Sequence, residues 1–339
     1  MTTKEEVKNL WKLCFDDSDE FINLYFERRY KDEINMAIRR DGKVVSALQM
    51  IPYPMTLGKW EMEIAYVSGA CTHPDYRKQG LMRQLLADAH RQMYERGACL
   101  SVLIPAEKNL FDYYSLSGYV SGFYYAKQTY CIGDLYPSLL FSVADETDAS
   151  MCLPEHHRYL VSRMKEYPCC VQHRRDDFGI IMNDLKLSEG KLLVARRGGL
   201  VHGLAFCFKE NNGLVVKELL ADNPVVKDSL LAKAMQIFQV EDAECWGPST
   251  TDSLYLGMAR VICPEKIMAL LARKCPDKEM YICIEDDEAI PENNGYYALT
   301  KGRCTRQYLS DREYQVCSIN ELTRLLLHDE RPYMSLMLN

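Results

Sequence analysis

Apolar residues recur along this chain at spacings that can be read one element at a time. Val7, Leu10, Trp11 and Cys14 share a helical face and predict a helix over residues 4–14. An acidic turn follows from Asp16 to Glu20, in which Ser18 is placed to cap a second helix carrying Phe21, Leu24, Tyr25 and Arg28. Ile34–Arg40 and Lys43–Ile51 read as strands about the turn pair Asp41-Gly42, and a further pair surrounds Leu57-Gly58-Lys59. Met62–Thr72 is the next strand. Beyond His73-Pro74-Asp75-Tyr76, a helix is predicted from Leu81, Met82, Leu85, Leu86, Ala89 and Met93, with Gly97 as its left-handed stop. Cys99–Ile104 suits a buried strand, Phe111–Tyr114 belongs to a short helix, and Tyr119–Tyr130 resumes strand character.

The second half echoes the first. The pattern around Arg39-Arg40-Asp41-Gly42-Lys43-Val44 returns around Arg196-Arg197-Gly198-Gly199-Leu200-Val201. A strand over Val215–Ala221 and a helix from about Lys227 to Phe238 then repeat the order of Met62–Met93, which points to two copies of one fold. From Ser253 the pattern changes. Leu254–Cys263 is a strand, Pro264 opens a helix to Lys274, and Met280–Asp286, Gly295–Thr300 and Arg303–Tyr308 are strands. Ser318 and Glu321 form a capping box for a last helix, Ile319–His328. The chain ends on an apolar tail, Tyr333–Leu338 before Asn339, which is expected to dock rather than stay in water. The expected division is 1–142, 143–250 and 251–339.

Composition narrows the class. Hydrophobic residues make up 47%, enough to offset ordering entropy and exclude wholesale disorder. The net charge of −7 argues against nucleic acid as the main partner. No apolar run approaches the roughly 20 residues of a membrane span, and the first residues lack the apolar centre of a signal peptide. The 14 cysteines contain no Cys-x-x-Cys pair, so they read as reduced, mostly buried thiols in a cytoplasm rather than zinc ligands. His156, His157 and His173 lack a third ligand at sensible spacing and are read as ordinary surface or core residues.

The chemistry sits between a strand and a helix, in Arg77-Lys78-Gln79-Gly80-Leu81-Met82. Helix-initial N–H groups lack intrahelical partners and, with the helix dipole, favour an anion such as phosphate. Gly80 lets the backbone come close, and Arg77 and Lys78 add charge. With the preceding strand and the segment Tyr113-Tyr114-Ser115-Leu116-Ser117-Gly118-Tyr119, this stretch resembles the GNAT superfamily of N-acetyltransferases, whose coenzyme motif is Arg/Gln-x-x-Gly-x-Gly/Ala. Met82 replaces the usual small residue. Gly80-Leu81-Met82 is similar to the Eis (enhanced intracellular survival) branch, and the resemblance runs over the whole chain.

That resemblance implies an α/β (α+β) architecture: tandem GNAT folds, each a mixed sheet flanked by helices, then a sterol-carrier-protein-2-like α+β domain. It implies acetyl-CoA as co-substrate and a small-molecule or peptide primary amine as acceptor. Members of that family assemble as hexamers, which makes a homo-oligomer one expectation; no membrane partner is expected, because the apolar span is missing. Ala70, Cys71, Thr72, Arg77, Lys78, Gln79, Gly80, Leu81, Met82 and Asn109 would hold the coenzyme. Tyr114 would be the general acid, and the α-carboxylate of Asn339 would help the amine lose a proton. The second copy is expected to be inert, with Lys227 at the place of Arg77 and Leu230 at that of Gly80. The alternative is a non-enzymatic lipid or small-molecule carrier using the C-terminal domain. Two lesser readings concern the residues themselves. Cys71 with His73 would be a covalent thiol pair, against which Cys71 reads as a small core residue. Asp16–Glu20 would draw in a cationic amine, against which these acids simply favour a helix start.

Overall fold

In the computed structural model, which describes residues 2–149, 153–210, 213–249, 254–307 and 313–338, the first apolar face is buried as α1 (Thr3–Cys14). A capping box between Thr2 and Glu5 starts it. Ser18 Oγ accepts the Phe21 N–H at 3.1 Å and opens α2 (Asp19–Arg28). Trp11 lies 4.5 Å from the Tyr25 ring and edge-on to Phe26, so the two helices meet through an aromatic cluster. Strands β1 (Asn35–Arg40) and β2 (Lys43–Leu57) flank Asp41 and Gly42, both at positive φ as a two-residue hairpin turn requires. The hairpin at Leu57-Gly58-Lys59 is present too. Its arms are continuations of β2 and β3 (Trp60–Thr72), not separate strands. β2 passes through Pro52 and Pro54 because its register with β1 ends at Asn35↔Gln49, so neither proline removes a bond from that ladder. Next come α3 (Leu81–Glu95), β4 (Leu100–Leu103), α4 (Asn109–Ser115) and β5 (Val120–Cys131).

Further along are β6 (Ser142–Asp145), α5 (Leu153–Met164), α6 (Arg175–Leu187), β7 (Lys191–Arg197), β8 (Leu200–Glu210), β9 (Gly213–Ala221), α7 (Pro224–Phe238) and β10 (Asp242–Pro248). The last segment holds β11 (Tyr255–Val261), α8 (Pro264–Lys274), β12 (Met280–Ile284), β13 (Gly295–Thr300), β14 (Arg303–Gln307), β15 (Gln315–Cys317) and α9 (Ile319–Leu327). Both Pro264 at the helix start and the Ser318–Glu321 capping box are found as expected.

The chain forms two compact units. The first contains residues up to Phe123 together with Tyr255–Pro332. Its sheet runs β1-β2-β3-β4-β11, with β3 parallel to β4 and the other neighbours antiparallel. α3 packs Leu85, Leu86, Ala89 and Met93 against Leu48, Met50, Ala65 and Val67 of the sheet. A four-stranded sheet, β14-β13-β12-β15, belongs to the same unit. The sequence placed the strand at Leu254–Cys263 at the head of a third domain, but β11 pairs with β4, Met258 opposite Leu103. Arg260 on β11 holds it to the later segment, its Nη2 2.6 Å from Asp287 Oδ1 with both side chains buried. Asn293 Nδ2 donates to the second Asp287 oxygen at 2.9 Å.

The second unit contains Tyr124–Leu254 and Tyr333–Leu338. Its sheet is β7-β8-β9-β10 with β6 at one edge and the Tyr125–Cys131 stretch of β5 at the other. The order is that of the first unit: two helices, three antiparallel strands, a helix, a parallel strand, then an antiparallel strand from the other half of the chain. The tail docks here. Tyr333 exchanges main-chain bonds with Cys169 and Val171, and its hydroxyl donates to the buried Glu218 Oε2 at 2.8 Å. His173 Nε2 lies 2.9 Å from the Ser335 carbonyl oxygen. His156 pairs with Glu146, and His157 with the His173 carbonyl. No helix among the described residues is long and apolar enough to cross a membrane.

Replacing Arg260 by alanine leaves the Asp287 carboxylate buried without its cation. We expect Arg260→Ala to lower the unfolding free energy by about 3–5 kcal/mol, measured by urea denaturation followed by circular dichroism.

Candidate active site

The site in the first unit begins with a mismatch in β3. Its register with β2 passes from Ala47↔Cys71 to Gln49↔Ser68, so Gly69 and Ala70 stand opposite Leu48 alone. Gly69 has φ +60, and a Cβ there would lie 2.1 Å from the Trp11 ring. Only glycine meets both demands. β3 and β4 pair from Ile64↔Leu100 to Tyr66↔Val102. β3 continues through Thr72, and β4 ends at Leu103, one residue past the pairing. The run after Tyr66 thus offers main-chain groups on the edge turned away from β2.

The loop after β3 turns back at a short helical turn whose first N–H, that of Asp75, donates to His73 Nδ1 at 3.3 Å. Arg77 Nε donates to the Thr72 carbonyl at 3.1 Å. Lys78 has φ +62 and Gly80 φ +76. A left-handed lysine costs about 1–2 kcal/mol, and such strain gathers at functional sites. Gly80 caps α3 with no side-chain bond, and a Cβ on it would meet nothing within 4 Å. The space beside Gly80 is open, and the first amides of α3 have no capping side chain to accept from them.

A cavity of about 590 Å³ joins these parts. Ala70, Cys71, Thr72, Arg77, Lys78, Gly80, Leu81, Met82 and Tyr114 all line it. Gln79 and Asn109 do not. Gln79 Nε2 reaches the Asp75 carbonyl at 3.5 Å, and Asn109 is the first residue of α4. Asn339 lies outside the described residues. Tyr114 is buried, and its hydroxyl makes no hydrogen bond among the described residues. Burial pushes it up to about 12. Its neighbour Tyr119 is committed instead: the phenol lies 2.6 Å from Ser101 Oγ and 3.0 Å from His90 Nε2.

Residues 2–121 match the family model described as "Acetyltransferase (GNAT) domain". The chain is an acyltransferase. No curated protein matches the sequence. Among solved structures, the chain is similar to a protein of unknown function from Enterococcus faecalis V583 described as a probable N-acyltransferase. The TM-score is 0.78 at 15% identity, over 96% of this chain and 87% of that one. A GNAT-type N-acetyltransferase from Anabaena variabilis gives 0.75 at 14%, over 97% and 96%. Eis1 from Mycobacterium abscessus gives 0.73 at 13%, over 95% and 86%. At these identities the likeness is one of fold.

The cavity also takes in residues that sequence reasoning did not assign to the site. Cys14 and Phe15 arrive from the end of α1, and Arg83 from the first turn of α3. Glu107, Leu110 and Tyr113 come from the approach to α4 and from α4 itself. Arg83, a basic residue in the first helical turn after Gly80, was the one legible in the motif. The acidic segment behaves as a helix start. Asp17 accepts from the Trp11 indole at 2.7 Å, Asp19 pairs with Lys12, and none of Asp16–Glu20 lines the cavity. His73 is turned into its own loop, and the thiol of Cys71 is pushed well up by Cys14 and by burial, so the two do not make a nucleophile–base pair.

The matching helix of the second unit starts differently. Asn223 caps α7 by accepting the Val226 N–H at 3.1 Å, and Pro224 has no N–H to offer. The residue in Gly80's place is therefore Asn223, not Leu230, which lies well inside α7 and is fully buried.

The two tyrosines should separate in stability. Tyr119→Phe leaves Ser101 and His90 short of a buried partner and should cost about 1–3 kcal/mol. Tyr114→Phe should stay within about 0.5 kcal/mol of the parent. Thermal and urea unfolding of both variants measures the difference.

Proposed function

We propose that this enzyme transfers an acetyl group from acetyl-CoA directly to the nitrogen of a primary amine, in the cavity described above. The observation that carries the reading is one cavity lined by the start of α3, the unpaired edge of β3 and an uncommitted tyrosine hydroxyl. Arg77, Lys78 and the amides following Gly80 would hold the phosphates, and Ala70, Cys71 and Thr72 would pair with the amide-like pantetheine arm. The thioester supplies an activated acyl carbon. A main-chain N–H of the β3 edge would stabilise negative charge developing on the acyl oxygen. Tyr114, protonated at neutral pH, would hydrogen-bond the departing sulfur and give it a proton. Gln79 would support the loop from outside the cavity through its bond to the Asp75 carbonyl. The amine must arrive neutral, and we assign its proton to the Asn339 carboxylate on the basis of the resemblance alone.

The repeated element order supports reading the chain as tandem GNAT copies of the Eis type, the second without a coenzyme site because Asn223 occupies its helix start. The segment with β12–β15, α8 and α9 is the proposed sterol-carrier-like part.

Isothermal titration calorimetry with acetyl-CoA should give one site per chain, and Gly80→Glu should abolish it. Normal binding by that variant would overturn the phosphate assignment. Tyr114→Phe should lower kcat about 100-fold with little change in acetyl-CoA affinity. Because burial holds the Tyr114 proton up to about 12, the parent rate should not fall between about pH 9 and 11. A fall centred near 10 would point to a tyrosine outside this environment.

A further inference from the structure

The Cys14 thiol, at the last residue of α1, lies 3.5 Å from the Thr72 carbonyl, and Cys14 and Cys71 both line the cavity. Thr72 follows Cys71 in β3, so the Cys14 thiol lies against the Cys71–Thr72 step of the strand, where Cys71 and the Arg77 guanidinium both act on it. Cys71 is buried on the open-edged run of β3, whereas Cys14 is half-buried. We propose that Cys14 and Cys71 are a peroxide-sensitive dithiol, Cys14 attacking and Cys71 resolving, which forms a disulfide across this cavity wall.

The chemistry follows from the placement. Cys71 and then Arg77 bring Cys14 down to about 7, which favours the thiolate more than for an ordinary cysteine at neutral pH. A second thiol close to an accessible thiolate is the arrangement of a sensor with its resolving partner. The Cys14 thiolate attacks one peroxide oxygen. An S–O bond forms, the O–O bond breaks, and hydroxide leaves and is protonated to water. Cys14 is now a sulfenic acid and no longer holds the Cys71 proton or the Arg77 charge. That charge lowers Cys71, which the interaction with Cys14 and then burial otherwise hold high; oxidation of Cys14 removes the first of these. Cys71 loses its proton and its sulfur attacks Cys14. The S–S bond forms as the S–O bond breaks, and hydroxide leaves with that proton as a second water. Two thiols are oxidised by two electrons and one peroxide is reduced to two waters.

The link to catalysis rests on reading this cavity as the acyl-CoA site; the disulfide does not. A disulfide fixes two sulfurs at about 2.05 Å, shorter than any hydrogen bond between them. It ties the end of α1 to the strand run proposed to receive the pantetheine arm. Bound acetyl-CoA would in turn shield the pair.

The test treats the reduced full-length protein with hydrogen peroxide and maps peptides under non-reducing conditions. A peptide linked Cys14–Cys71 is expected as the main product, and its absence when Cys14 is consumed overturns the proposal. In Cys71→Ser the sulfenic acid should persist and be trapped by dimedone on Cys14, at least about threefold faster than on the exposed Cys131. Labelling of Cys131 first would also overturn it. Unchanged circular dichroism shows the variant is folded. Saturating acetyl-CoA should slow disulfide formation. A disulfide that forms equally fast with acetyl-CoA present leaves the dithiol standing and counts against the coenzyme reading, which the calorimetry above tests separately on reduced protein.

Discussion

Beyond Tyr66, β3 keeps β2 on one side and has lost β4 on the other, and everything at the site follows from that parting. The extra residue at Gly69-Ala70 re-aims the strand, and the Trp11 ring fills the place a side chain would take. Trp11 is itself held by Asp17 and by the rings of Phe15 and Tyr25. The aromatic cluster of the first two helices therefore sets the conformation of a strand whose free edge makes the cavity wall. An edge left unpaired in a sheet is ordinarily a hazard. Here it lies inside a concavity, where a single extended ligand can use it.

The helix that follows makes the complementary provision. A helix start is stabilised when a side chain accepts its first amides, as Ser18, Asn223 and Ser318 do. Gly80 forgoes this, and the left-handed Lys78 adds strain to the same loop. The cost is local, and the well-packed faces of α3 and the sheet absorb it. The second unit shows what the same element order looks like when the helix start is satisfied from within.

Where patterns were local, the sequence could be read closely. The Asp41-Gly42 turn, the Gly97 stop, the Pro264 start and the Ser318–Glu321 box each depend on neighbours within a few residues, and each is found. The loop from Arg77 to Met82 was legible for the same reason. Tertiary placement was not. Nothing near Cys14 signals that the end of α1 meets β3, and nothing in Leu254–Cys263 signals that β11 joins β4. The comparison of Gly80 with Leu230 failed because identities near Lys227 were aligned without the helix start, which Pro224 marks earlier. The apolar tail was recognisable as a docked segment, but its partners Cys169, Val171 and Glu218 are far away in sequence.

The exchange of closing strands bears on how the chain is made. β4 acquires its neighbour β11 only after the whole middle of the chain has been synthesised, and β10 meets a strand that was made long before it. During synthesis the first unit must wait with a bare sheet edge until Val261 has emerged. Such long-range pairing slows folding and exposes intermediates to wrong partners. A fragment cut after the region that matches the GNAT family would keep its loop and its tyrosine but lack the strand beside β4. The stretch that matches the family model and the unit that folds are thus different lengths of chain.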